Sequence, residues 1–186
     1  MSKLASIFAA LVLGTAVTAS HASVIQYTTS AYTNTYGGGY GANSTAGAVH
    51  VLTGDLLAFS TDATQMWAGA VVNDGNYPAL HTNANGSTSL NWMLSLPGMN
   101  GARIGYGSLV AEIGGSYRFV GAGDKTLTAW GSGDLHLWYA DSNQGDNSGS
   151  IKTTLRITEV PEPGSLAVMG LGLGLLSFAR GRRRSR

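Results

Sequence analysis

The residues best equipped for chemistry lie together late in the chain, in the run Asp141-Ser142-Asn143-Gln144-Gly145-Asp146-Asn147-Ser148-Gly149-Ser150. Two carboxylates, two asparagine amides and free backbone carbonyls fall between positions 141 and 147. An oxygen-rich loop of this kind suits a hard cation. Ca²⁺ takes about six to eight oxygens at roughly 2.3–2.6 Å from flexible ligands, and this loop can offer about four or five of them. Composition leaves a second reading open, a polar hairpin loop held by Asx-turns.

The Asp141-x-Asn143-x-Gly145 spacing meets the start of the EF-hand pattern and then departs from it. The sixth position is Asp146 rather than glycine, and the twelfth is Lys152 rather than glutamate. Nucleophile motifs also fail. In Gly145-Asp146-Asn147-Ser148-Gly149 the inserted Asn147 breaks a Gly-Asp-Ser-Gly loop, and no Gly-x-Ser-x-Gly surrounds Ser108. Gly121-Ala122-Gly123-Asp124-Lys125-Thr126 lacks P-loop spacing. His50, His81 and His136 are not spaced as a metal cluster, and His136 is expected on the solvent face of a strand. Asp74 and Asp124 are conceivable as a glycosidase pair, whose separation a sequence does not give. The expectation is therefore a binding protein and not an enzyme. The absence of cysteine removes disulfides, thiolate metal sites and cysteine nucleophiles.

The elements that must position the loop are strands. Ile151, Thr153, Leu155 and Ile157 alternate with Lys152, Thr154, Arg156 and Thr158, the period of a half-buried strand. Further strands are expected at 55–60, 65–72, 109–113, 117–120, 125–130 and 134–139. Asp-Gly at 74–75, Gly-Gly at 114–115 and Gly-x-Gly at 121–123 and 131–133 provide turns. Residues 27–47, rich in Tyr, Thr, Ser and Gly, read as a loop or loosely held edge, with tyrosines 27, 32, 36 and 40 available to stack on sugars. Short strands punctuated by turns predict an all-β fold, an antiparallel sandwich or jelly roll. The 27 glycines among 186 residues are about twice the ordinary share and fit so many turns.

The formal net charge of +1 conceals unlike segments. Between Ser23 and Val160, Arg103, Arg118, Lys125, Lys152 and Arg156 face Asp55, Asp62, Asp74, Glu112, Asp124, Asp134, Asp141, Asp146 and Glu159, a net of −4. That balance suits a cation and excludes nucleic acid as a partner. The other basic residues lie at the ends. Residues 1–22 have one lysine, an apolar run and a small-x-small ending, which predicts a secretory signal peptide cut after Ala22, with Ala19 as the other candidate. Residues 160–186 run Val160-Pro161-Glu162-Pro163-Gly164, then an apolar stretch to Ala179, then arginines including Arg182, Arg183 and Arg184. At 1.5 Å per residue, 16 helical residues make about 24 Å, a short membrane span with its arginines held inside.

Those three parts in that order resemble the PEP-CTERM sorting signal, carried here by Pro161, Glu162, Pro163 and the terminal arginines. The resemblance implies processing by a membrane-embedded exosortase. It implies export through the inner membrane, a transient membrane anchor, and a final place at the cell surface or outside the cell. Residues 23–48 then form the mature N-terminal segment and 49–159 the β-domain.

The β-domain has a resemblance of its own. Gly107-Ser108-Leu109-Val110, Ile113-Gly114, Phe119-Val120-Gly121, Gly133-Asp134-Leu135-His136-Leu137 and the run from Asp141 to Ile157 are similar to the PA-I-type galactophilic lectins. Gly54-Asp55-Leu56 and Trp67 extend the likeness upstream. The resemblance implies a galactose-binding-domain-like β-sandwich in which Ca²⁺ bridges protein and sugar. By position it implies Asp141, Asp146, Asn147 and the Asn143 carbonyl as cation ligands. It departs at Asp146, where those lectins have asparagine, and in a loop two residues shorter. Tyr77 and His81 stand in the sugar-contacting neighbourhood with Asp141 and Asp146, but the lectins' His-Pro-Asp-Gln has no clean copy, so galactose itself is not supported. The expected function is calcium-dependent binding of a polysaccharide or glycan. The alternatives are a structural biofilm-matrix protein without sugar binding and, third, a surface polysaccharide hydrolase.

Overall fold

The computed structural model describes residues 22–36, 48–69, 80–87 and 93–160, with Gly170 and Gly172. His21–Val160 form one compact unit. The fold is all-β. In chain order the strands are β1 Ala22–Ser30, β2 Val49–Val51, β3 Leu56–Thr61, β4 Trp67–Gly69, β5 Leu80–Thr82, β6 Met93–Leu94, β7 Ile104–Gly105, β8 Ser108–Ile113, β9 Ser116–Phe119, β10 Gly123–Thr128, β11 Gly133–Ala140 and β12 Ser148–Thr158.

All pairings between these strands are antiparallel. One sheet runs β10-β3-β12-β4-β5, with β1 also on β12; a second runs β2-β11-β8-β9; β6 and β7 form a separate pair. The long last strand organises the first sheet. Its inward Ile151, Thr153, Leu155 and Ile157 are buried, while Lys152 and Arg156 are exposed, as its period-two pattern predicts. Leu57, Phe59, Ile151 and Leu155 from this sheet enter one buried cluster with Leu109, Ala111, Leu135, Leu137 and Tyr139 from the second. Burying side chains of this size contributes about 1.5–3 kcal/mol each. On its other side β8 meets a smaller cluster of Leu96, Ile104, Val110, Tyr117 and Ala140, so β8 is buried along its whole length.

β3 and β4 both pair with β12, with residues 62–66 between them. There the Gln65 side chain replaces a strand: its Nε2 donates to the Lys152 carbonyl at 3.1 Å, and its Oε1 accepts the Lys152 N–H at 2.8 Å. The amide thus mimics a backbone partner and leaves no ladder group unmet at that point.

The loop expected to begin at Tyr27 is corrected. β1 pairs with β12 along its full length, from Ala22↔Thr158 to Ser30↔Ser150. Tyr27 and Thr29 are fully buried, so Tyr27 is core and unavailable to a sugar. The inward face of β1 is Ile25, Tyr27, Thr29, and a buried threonine among polar neighbours hides the alternation in sequence. His136 is half-buried rather than on an open solvent face. The Gly-Gly turn at 114–115 joins β8 to β9 with both residues at positive φ, a conformation glycine adopts without steric cost.

Candidate functional site

The loop 141–147 joins β11 to β12, and local hydrogen bonds shape it. Asp141 Oδ1 accepts the N–H groups of Ser142 at 2.6 Å and Asn143 at 3.2 Å. Asn143 Oδ1 accepts the N–H of Gly145 at 3.1 Å. These are the Asx-turns that the composition allows. Asn147 closes the loop by donating Nδ2 to the Asn143 carbonyl at 2.6 Å and to Thr35 Oγ1 at 3.1 Å. Thr35 is itself fully buried and donates to the Ala31 carbonyl. The turn after β1 therefore docks against a loop over a hundred positions later.

The same bonds leave oxygens unanswered. Asp146 Oδ1, Asn147 Oδ1 and the Tyr139 hydroxyl are buried and have no hydrogen-bond partner. Asp141 and Asn147 are both 5% exposed. Gly69, at the end of β4, explains how these groups fit so closely. A side chain there would meet the Tyr139 hydroxyl first, then Asn147 Oδ1 at 2.7 Å and Asp141 Oδ2 at 3.2 Å. Only a bare Cα admits all three. Tyr139 is fixed from the other side by the edge of the Trp67 ring, at 4.5 Å between centroids. Trp67 Nε1 in turn donates to the Gly107 carbonyl at 2.8 Å.

Two carboxylates lie close together here, Asp141 buried and Asp146 half-buried. Burial pushes the Asp141 carboxyl above the ordinary carboxylate range, against the lowering effect of hydrogen bonds from Asn143, Asn147 and Ser142, and the Asp146 charge adds to the rise. Burial, then the charges of Asp141 and Asp146, also push the Tyr139 phenol up. The donor set is oxygen only. Among the described residues no three His, Cys, Asp or Glu side chains gather as a metal group. The corner accordingly suits a hard cation able to use amide, carbonyl and hydroxyl oxygens beside two carboxylates, and its unanswered buried oxygens fit that group.

The structure thus brings Asp141, Asn143, Asp146 and Asn147 together, and adds Tyr139, Gly69 and Thr35, which the sequence reading lacks. Their signal is non-local: β4 and the turn after β1 must reach the loop before they matter. Tyr77 lies outside the described residues. His81 is exposed on β5, paired with Ala68, which pairs with Ser148. Along β5 it alternates with Thr82, which is buried and pairs with Trp67, so His81 projects from the face opposite to the corner. Asp124 accepts from Ser60 Oγ at 2.7 Å, and Asp74 lies outside the described residues.

β12 ends at Thr158, and the Val160 N–H reaches Asp55 Oδ1 at 3.3 Å, while Asp55 Oδ2 accepts from Leu52 at 2.9 Å. Directly past β12, residues 159–184 match the PEP-CTERM protein-sorting motif. The chain is an exported protein with a C-terminal sorting signal. The motif implies sorting by an exosortase. Pro161, Glu162, Pro163, Arg182, Arg183 and Arg184 fall within the matched motif and outside the described residues. The expected signal peptide up to His21 and most of the expected membrane span also lie outside the described residues. Gly170 and Gly172 are helical and exposed. Among the described residues no helix is long and apolar enough to cross a membrane. Among solved structures, the chain is similar to the EclA N-terminal domain, a PllA-like lectin, at 17% identity over 74% of this chain and 95% of that one, with a TM-score of 0.37. No curated protein matches the chain.

Proposed function

We propose that this exported protein carries, at the corner between β11 and β12, a calcium site through which the domain binds a glycan at the cell surface or in the surrounding matrix, without catalysis. The observation that carries the reading is the group of buried, unpartnered oxygens, Tyr139 Oη, Asp146 Oδ1 and Asn147 Oδ1, beside the buried Asp141 carboxylate. Leaving such groups unmet costs about 1–3 kcal/mol each, and a cation would answer several together. Asp141, Asp146, Asn147 and the Asn143 carbonyl would hold it. A bound Ca²⁺ would supply a positive centre to which vicinal sugar hydroxyls can bind. A sandwich arrangement is supported by the two larger sheets feeding one buried cluster.

The test is a thermal melt with Ca²⁺ and with chelator, followed by a glycan array under the same two conditions. Calcium should raise the melting temperature, and Asp141→Ala or Asp146→Ala should abolish both the rise and the array signal. Identical melts would remove the metal site. A calcium-dependent melt with no glycan signal would remove the lectin reading and leave a structural matrix protein. One observation favours that second reading: His81, expected to touch sugar, projects from the face opposite to the corner.

A further inference from the structure

The solvent face of the first sheet is hollowed rather than flat. Short side chains lie in its middle: Ala58 and Ser60 on β3, Thr154 on β12 and Thr126 on β10. Long ones stand around them: Lys152 and Arg156 on β12, and Asp62 just past β3. The result is a groove of two adjoining hollows, about 470 and 230 Å³, which share Ser60, Asp124 and Thr154. Register puts the shared residues in one row across three strands, Thr154 opposite Ser60 and Ser60 opposite Asp124. Hydrogen bonds hold that row in place. Gln26 Nε2 donates to Thr154 Oγ1 at 2.9 Å, and Ser60 Oγ donates to Asp124 Oδ1 at 2.7 Å. The floor is thus fixed before any ligand arrives.

The charges around this floor are left uncommitted. Asp62 Oδ1 accepts the N–H and the hydroxyl of Thr64, both at 2.8 Å, which leaves its Oδ2; Asp124 likewise keeps Oδ2. Among the described residues neither Lys152 nor Arg156 makes an ion pair. Two carboxylates and two cations therefore line one groove without neutralising each other by contact. A polyanion would meet Asp62 and Asp124, and a polycation would meet Lys152 and Arg156. A peptide strand would bring large apolar side chains, for which a floor of Ala58, Ser60 and Thr154 has no pocket. The occupant that suits the groove is a neutral chain dense in groups that donate and accept at once, which is the property of hydroxyls. We infer that the groove is a binding site for a neutral polysaccharide and works without calcium. It is separate from the cation corner: Lys152 stands four residues, about 13 Å, along β12 from Ser148, where the loop ends.

The test is affinity electrophoresis of the exported protein through native gels cast with dextran, with galactomannan or with alginate, all in chelator. Retardation by a neutral gel and none by alginate is expected. Asp124→Ala with Arg156→Ala removes one acceptor and one donor from exposed positions. It should weaken the retardation about tenfold or more, with melting unchanged. Ser60→Arg fills the floor and should abolish it. Asp141→Ala, at the corner, should leave it untouched, which keeps failure of the calcium site distinct from failure of the groove. Free passage through both neutral gels overturns the inference, as do groove variants that run like wild type. Retardation by alginate overturns it in favour of a polyanion site. Loss of retardation in Asp141→Ala also overturns it, because the binding would then belong to the corner.

Discussion

Two buried polar places in this domain are built on different terms. On β3 and β12, Thr61 and Thr153 face each other in register, both buried, with hydroxyls 3.0 Å apart. Each answers the other and the matter is closed inside the fold. At the corner between β11 and β12, Tyr139, Asp146 and Asn147 bury oxygens that nothing answers, around an Asp141 whose ionised form the surroundings disfavour. The first place is made by neighbouring strands in a regular ladder. The second is made by three separate stretches, around Thr35, around Gly69, and from Tyr139 through the loop. Facing hydroxyls in a ladder satisfy each other here, although Thr29 Oγ1, His136 Nδ1 and Trp138 Nε1 on other strands are also buried without a partner. Where one stretch, from Tyr139 to Asn147, buries several oxygens and leaves them open, the arrangement makes physical sense with a ligand.

Calcium should break the likeness between the two places most strongly. At about a hundred times its dissociation constant, a ligand of the folded state stabilises by about 2.7 kcal/mol. Asp141→Ala should lose that whole increment in melts with Ca²⁺, while Thr153→Val should keep it. Next comes Gly69→Ala. Its new methyl would press on the Tyr139 hydroxyl and Asn147 Oδ1, an overpacking that costs about 1–3 kcal/mol. Denaturant melts should show that loss, and the calcium response should vanish with it. If Gly69→Ala melts like the wild type, the crowding at the corner is not real.

How much of this was legible from residue order differs between the two places. Ile151 to Thr158 announces β12 by alternation alone, and the structure extends that strand back to Ser148. The loop from Asp141 to Asn147 announces itself by composition. Gly69 and Thr35 do not, because an absent side chain and a lone threonine gain meaning only from what folds against them. β1 escaped for a related reason. Its inward row is Ile25, Tyr27, Thr29, and a threonine counts as polar until it is seen fully buried. The sorting signal was legible because it is linear: the matched residues 159–184 need no folded partner to be recognised.

The threonine pair sharpens the contrast at smaller scale. Thr153→Val should cost about 1–2 kcal/mol, because the Thr61 hydroxyl is left buried and alone. Adding Thr61→Val should return stability close to wild type, since both polar partners are then gone. Tyr139→Phe should behave oppositely. In chelator it removes a hydroxyl that has no partner, so stability should rise by up to about 1 kcal/mol. A fall in stability would mean that the phenol does have a partner in the folded protein.

The smallest expected effect is the pH dependence of the corner without metal. The Asp141 carboxyl is raised by burial above its unfolded value, which is about 3.9. The folded state therefore keeps this proton where the unfolded state has released it. Stability from this group is complete below the unfolded value and is lost as pH rises through the folded one. In chelator, melts taken upward from about pH 4 should show wild type losing stability relative to Asp141→Asn, whose amide cannot ionise. Calcium should reverse the sign of that difference, because a cation favours the carboxylate and its binding releases the proton. If instead wild type gains on Asp141→Asn with rising pH in chelator, the hydrogen bonds from Ser142 and Asn143 outweigh burial. The corner would then be a self-satisfied hairpin of the same kind as the threonine pair.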